Sequence, residues 1–397
     1  MIYLDSAATT HKRPKCIIKS VLKTIKNSAN PGRGGHDLSL LAGAEVFSAR
    51  MALNNFFGGF GPENVVFTCS CTHALNLAIF GTVKKGGHVV TTVLEHNSVL
   101  RPLQELKNKG IIDFSLATPN KNGEITLDCI KKEIKNNTYL IITSHISNLT
   151  GQKSHIDEIG HFAKSNSILY LVDGAQSAGH TRINLKQSKI DMLAIPSHKG
   201  LMGIAGGGAL IFSNRVEIKP LIFGGTGTSS ISLNQPTISP EALESGTLPA
   251  PAISSMLSGV KYVEKRLSKI EKHLKMLSHY AIENLKTIKG VEVYTKNETG
   301  VVSFNVKDFA STDVAGILND NFKICTRAGL HCAPLAHAYI GTSDRGAVRI
   351  SFSYFTKLCE IKKLINAVKE IANWFLNNQR LLPLPYFYQM QFFVHFA

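Results

Sequence analysis

The feature that most constrains the fold is an alternation between short apolar runs and helically spaced segments, from about residue 44 to residue 225. Runs at 64–68, 88–92, 139–144, 167–172, 192–195 and 208–212 have the length and β-branched content of buried strands. Between them, segments 75–83, 99–109, 127–135 and 156–165 place their apolar residues on one face of a helix. This repeat predicts an α/β fold, with a mostly parallel sheet covered by helices on both faces. Ligands of such sheets bind in the crevice beyond the carboxyl ends of the strands. Polar residues that follow each run are therefore the first candidates for a site.

At 397 residues the chain exceeds what one hydrophobic core serves, so two domains are expected. The alternation fits a large domain over 17–250. A long helical pattern then runs from 254 to about 286, followed by apolar stretches at 291–294 and 300–306 and a helix near 358–378. That α+β pattern suits a smaller domain built from 1–16 and 251–378. Residues 379–397 form an aromatic tail of unassigned role, with two prolines and six Phe or Tyr.

Net charge is +16, from 44 Lys and Arg against 28 Asp and Glu. The basic residues are dispersed and show no aromatic-interleaved motif, so solvated helix faces are expected and no nucleic-acid partner. No uncharged apolar window reaches the ~18 residues of a membrane-spanning helix. The N-terminus lacks the basic and apolar regions of a secretion signal. Seven scattered cysteines without zinc-site spacing point to free thiols, no metal and a cytoplasmic setting.

Two strand-end residues suggest a specific chemistry. Asp173 closes the run Ile168-Leu169-Tyr170-Leu171-Val172, and Lys199 follows Met192-Leu193-Ala194-Ile195 within Ser197-His198-Lys199-Gly200. Pyridoxal phosphate needs such a pair. The amine forms a Schiff base, and the carboxylate keeps the pyridine nitrogen protonated. Taken alone, the two read more simply as a strand-end aspartate and a surface lysine.

Other strand ends add compatible groups. Residues 68–76 (TCSCTHALN) follow a strand and open a helix, an arrangement suited to a phosphate or, more plainly, to an N-cap. His96 can stack on an aromatic ring or handle protons. Asn148 and Gln176 can donate to a phenolate-type oxygen.

Together these segments resemble the class V aminotransferase family of fold-type I pyridoxal-phosphate enzymes, and within it the cysteine desulfurases and selenocysteine lyases. The resemblance rests on YLDSAATT (3–10), NPGRGGH (30–36), EHNS (95–98), SHISNLTG (144–151), DGAQSAGH (173–180), SHKG (197–200) and ESGT (244–247), in that order, and covers about residues 2 to 375. It implies a large domain with a mostly parallel seven-stranded sheet, a smaller α+β C-terminal domain and a homodimer. It also implies that Lys199 is the Schiff-base lysine, that Asp173 partners the pyridine nitrogen and that His96 stacks on the ring. Cys71 and Thr72 would hold the phosphate with Ser197 and His198. Asn148 and Gln176 would contact the phenolic oxygen or its surroundings, and Thr247 would reach the phosphate from the second subunit. Cys71 and His73 depart from the family's usual Ala or Thr and Glu, which leaves side-chain detail at the phosphate open.

Two features choose within the family. Cys332, in Arg327-Ala328-Gly329-Leu330-His331-Cys332-Ala333, resembles the R-x-G-x-x-C-A segment whose cysteine takes sulfur from the substrate. Arg327 and His331 are candidate neighbours that would favour its thiolate. Arg349 resembles the arginine that binds the substrate α-carboxylate through a bidentate pair. The implied activity is conversion of L-cysteine to L-alanine, with a persulfide on Cys332. The sulfur would pass to an acceptor protein or thiol, for iron–sulfur cluster assembly or sulfur-modified nucleosides. L-selenocysteine remains an alternative substrate, another class V reaction with Cys332 incidental remains an alternative activity, and a non-catalytic binding protein is the alternative from another class.

Overall fold

The computed structural model describes residues 1–31, 34–228 and 230–378. The aromatic tail at 379–397, and Gly32 and Arg33 of the 30–36 segment, lie outside the described residues.

The apolar runs assemble into one seven-stranded sheet. Its order is Val65–Thr68, Gly208–Phe212, Met192–Pro196, Leu169–Asp173, Thr138–Ser144, Gly87–Thr92 and Ile112–Ala117. Gly208–Phe212 runs antiparallel to both neighbours, and the other pairings are parallel. Adjacent residues of the central strands enter different cores. Val90, Ile141, Tyr170 and Leu193 pack in one, and Val89, Leu140, Leu171 and Met192 in another. Burial on both faces explains why these strands read as continuous apolar runs instead of alternating ones.

One strand escapes that signal. Ile112–Ala117 was not expected, because Asp113 and Ser115 interrupt its apolar pattern. It lies at the sheet edge, where Asp113 reaches solvent and pairs with Lys107 and Lys135. A second correction concerns the helical pattern from 254 to 286, which is two helices, Ala250–Glu264 and Leu267–Lys286. The chain leaves helical geometry at Arg266 (φ −132°, ψ 0°), whose guanidinium folds back over the Tyr262 ring at 4.1 Å and donates to the Tyr262 carbonyl. The break lets each helix turn its apolar residues into a different core.

A third core gathers Leu4 and Ile17 with residues from Val263 to Ala372 around an antiparallel sheet of Val291–Val293, Val301–Val306 and Val348–Ser351. The opening strand Ile2–Tyr3 pairs with Ile324–Cys325. Residues 5–10 then cross to the large sheet, where Thr10 bonds the carbonyls of His198 and Lys199. Among the described residues no helix is long and apolar enough to cross a membrane.

Candidate active site

Five strand ends converge on one cavity of about 230 Å³, lined among others by Thr72, His96, Asn148, Asp173, Lys199 and Arg349. Asp173 ends the strand Leu169–Asp173 and is 4 % exposed. Its Oδ1 accepts from the Ala175 amide at 2.8 Å and from the Cys71 thiol at 3.7 Å. Burial, reinforced by the Asp173 charge, pushes the Cys71 thiol well above its usual range, so this sulfur is a donor and not a nucleophile. Lys199 faces the same space, and burial lowers its amine below the ordinary lysine value, partly offset by Cys71 and Asp173. A lowered amine is more often neutral, the form that can attack a carbonyl.

One end of the cavity is built from two helix starts. Ser70 caps the helix Cys71–Gly81 by accepting from the His73 amide at 3.1 Å. Gly208 has to be a glycine here, since a Cβ would stand 2.7 Å from the Ser70 carbonyl carbon. His96 caps the helix Asn97–Asn108, its Nδ1 accepting from the Ser98 amide at 3.0 Å. That bond assigns the proton to Nε2, and burial lowers the imidazole pKa, so a neutral ring borders the cavity. Thr72 Oγ1 lies 2.8 Å from Ser98 Oγ, joining the two helix starts.

Other expected residues are placed with more qualification. Gln176 reaches the cavity wall but spends its amide on the Ala7 carbonyl (3.1 Å), and Asn148 donates to the His331 carbonyl (2.8 Å). His198 lines the cavity, is bonded to Thr9 Oγ1 at 3.1 Å, and is lowered to about 4 by burial and by Lys199. Ser197 is not on the wall, because its buried hydroxyl donates to the Ile204 carbonyl. Thr247 is exposed and also outside this cavity. Its segment is anchored by Glu244, which pairs with Arg50 and accepts from the Phe67 amide at 2.5 Å.

Arg349, on the strand Val348–Ser351, is 1 % exposed. Nη1 donates to the Asn148 carbonyl at 2.9 Å and Nη2 to Asp5 Oδ1 at 2.8 Å. Sequence reasoning missed Asp5, although it lies within the quoted opening segment. Its role depends on a contact 344 residues away in the chain. Cys332 is exposed, on the rim where a second, open cavity shares Thr72, His96 and Ser98 with the first. Its carbonyl accepts from the Asn97 amide at 2.8 Å, and both His331 and Cys332 adopt left-handed backbone (φ 50° and 55°). One expectation fails here. His331 is buried against His337 and lowered to about 3, chiefly by burial and then by Arg349 and Arg327, so it lends Cys332 no positive charge. Arg327 lines the first cavity.

The profile of the aminotransferase class-V family matches residues 2–364. The chain belongs to the class V aminotransferase family. Its members are pyridoxal-phosphate enzymes. Curated relatives include a probable cysteine desulfurase of Methanothermobacter thermautotrophicus, 32% identical over 94% of each chain, and one of Pyrococcus abyssi, 32% identical over 96% of each. The solved apo cysteine desulfurase of Thermococcus onnurineus superposes with TM-score 0.88 at 33% identity, covering 94% of this chain and 95% of that one. The fold is shared with Escherichia coli CsdA (TM-score 0.84, 22% identity, 94% of each chain).

The residues present fit the family's cofactor. The cavity offers an amine, a carboxylate, a neutral imidazole and two helix starts. The buried Nε of Arg349, on its wall, has no partner, as expected of a donor set for an anionic ligand.

Proposed function

We propose that the chain is a pyridoxal-phosphate-dependent cysteine desulfurase that acts as a homodimer. The observation that carries this reading is the exposed Cys332 thiol in the open cavity that shares Thr72, His96 and Ser98 with the cavity lined by Lys199, Asp173 and Arg349. Bound pyridoxal phosphate supplies an electron sink for the substrate's Cα. Lys199 would hold the cofactor and carry the substrate's Cα proton. Asp173 would partner the ring nitrogen and His96 would lie against the ring as a neutral imidazole. Arg349 binds the substrate carboxylate with its spare N–H groups. Cys332 Sγ, as thiolate, attacks the substrate sulfur. The S–S bond forms as the C–S bond breaks, and the electron pair left on carbon takes up a proton to give L-alanine. The outer sulfur of the persulfide then passes to an acceptor thiol or protein, its bond to Cys332 Sγ breaking to regenerate the thiolate, and the open cavity lined by Cys332 gives the acceptor access.

The dimer is supported by a large apolar surface. Leu40, Leu41 and Phe47 of the helix Asp37–Phe56 are 60, 61 and 56% exposed, and Phe223 is 72% exposed. Exposed apolar side chains gathered on one helix suit an interaction surface. Phe47 lines a cavity with Gly246 and Leu248, the neighbours of Thr247, so a second copy docked on this helix would adjoin the Thr247 segment. Seven unpaired cysteines support a reducing, cytoplasmic setting.

The deciding experiment incubates the holoenzyme with L-cysteine and assays alanine and Cys332 persulfide together. Equal amounts of both in a single turnover are expected, and alanine without persulfide would sink the reading.

A further inference from the structure

Glu95 is 0% exposed, yet its carboxylate is not part of the cavity wall. Three donors converge on it. Thr92 Oγ1 reaches Oε1 at 2.6 Å, the Ser144 amide reaches Oε1 at 3.0 Å, and Ser144 Oγ reaches Oε2 at 2.7 Å. Thr92 is the last residue of one strand, and Ser144 is the last residue of its neighbour. Ser144 in turn faces Asp173 across the next strand pair, and the chain leaving Glu95 becomes His96, the cap of the following helix. A buried carboxylate is costly unless its acceptors are filled, and here the filling groups come only from the strand ends behind the cavity.

We propose that Glu95 is a positioning residue for the cofactor, a node that ties Thr92 and Ser144 together and thereby fixes His96, which would stack on the ring, and Asp173, which would partner its nitrogen. This inference rests on the pyridoxal-phosphate reading of the site. The requirement is for acceptor atoms at that point, not for a charge. A glutamine keeps the accepting oxygen for Thr92 and the Ser144 amide, and its NH₂ donates to a reoriented Ser144 hydroxyl. A leucine fills the space and accepts nothing, leaving the Ser144 amide and two hydroxyls without their partner.

The test is a titration of cofactor-free protein with pyridoxal phosphate, followed by the visible absorbance of lysine-bound cofactor, on wild type, Glu95→Gln and Glu95→Leu. Thermal melting of each cofactor-free protein is recorded beside it. Glu95→Leu is expected to weaken cofactor binding about tenfold or more and to move the absorbance maximum, while Glu95→Gln stays within about threefold of wild type. If Glu95→Leu does not fold, Ser144→Ala and Thr92→Val each remove one donor and are each expected to weaken binding severalfold. A lowered melting temperature with unchanged cofactor affinity and absorbance would overturn the proposal. So would equal losses in the Gln and Leu variants. Wild type that takes up no cofactor would instead remove the reading on which the inference rests.

Discussion

The region around Asp173, Lys199 and His96 and the loop of Cys332 meet at adjoining cavities but are built on opposite terms. Around Asp173, Lys199 and His96, groups come from the ends of buried strands, and Asp173 and His96 are each bonded twice within the protein. Cys332 sits on an exposed left-handed turn, held through backbone contacts: its own carbonyl to Asn97, and the His331 carbonyl to Asn148. The difference follows from the tasks. A cofactor bound throughout the cycle gains from fixed geometry. A thiol that must take sulfur from one molecule and hand it to another has to be reachable from both.

This contrast makes graded predictions. Lys199→Ala should abolish the absorbance of lysine-bound cofactor and reduce turnover by about 10³-fold or more, since both anchor and proton carrier are lost. A spectrum like wild type would break the assignment of the rigid region. Cys332→Ala should remove persulfide and alanine formation while leaving cofactor affinity within about twofold, because its exposed thiol lines the second cavity and not the one lined by Lys199. A large loss of cofactor would show that the two regions are not independent. Arg349→Lys should raise KM for L-cysteine roughly 10- to 100-fold with a smaller change in kcat, as the planar fork held by Asp5 and Asn148 is replaced by a point charge.

The smallest effect concerns pH, and both regions share it. Burial holds His145 and His331 at about 3 and His180 and His198 at about 4, against an ordinary 6.5. Between those values the unfolded chain binds more protons than the folded one. Stability is therefore fully present above about pH 6.5 and is lost as pH falls toward 4. The melting temperature of cofactor-free protein should drop by several degrees over that range. His331→Gln should flatten the drop only partly, since three of the four histidines belong to the large sheet and its connections.

The strand ends were legible because strands buried on both faces are predominantly apolar, so Asp173, His96 and Asn148 mark where the apolar runs end. Local signals failed where a residue's meaning depends on a distant partner. Asp113 disguised an edge strand whose solvent face tolerates it. Nothing near Arg266 marked the break between two helices that fill separate cores. His331 beside Cys332 looked like a source of charge, but burial, with Arg349 and Arg327 nearby, makes it a neutral core residue. Ser197, next to Lys199 in sequence, turns its hydroxyl away from the cavity toward Ile204.

By itself, the sequence determined the α/β plan, the cavity at the carboxyl ends of the strands, and the lysine and aspartate at its centre. These follow from apolar periodicity and from residue chemistry, which are properties of short segments. Tertiary structure alone decided that Asp5 holds Arg349, that Glu95 braces two strand ends, and that Cys332 stands exposed between two cavities. Each of these rests on contacts between segments far apart in the chain, and only packing brings those together.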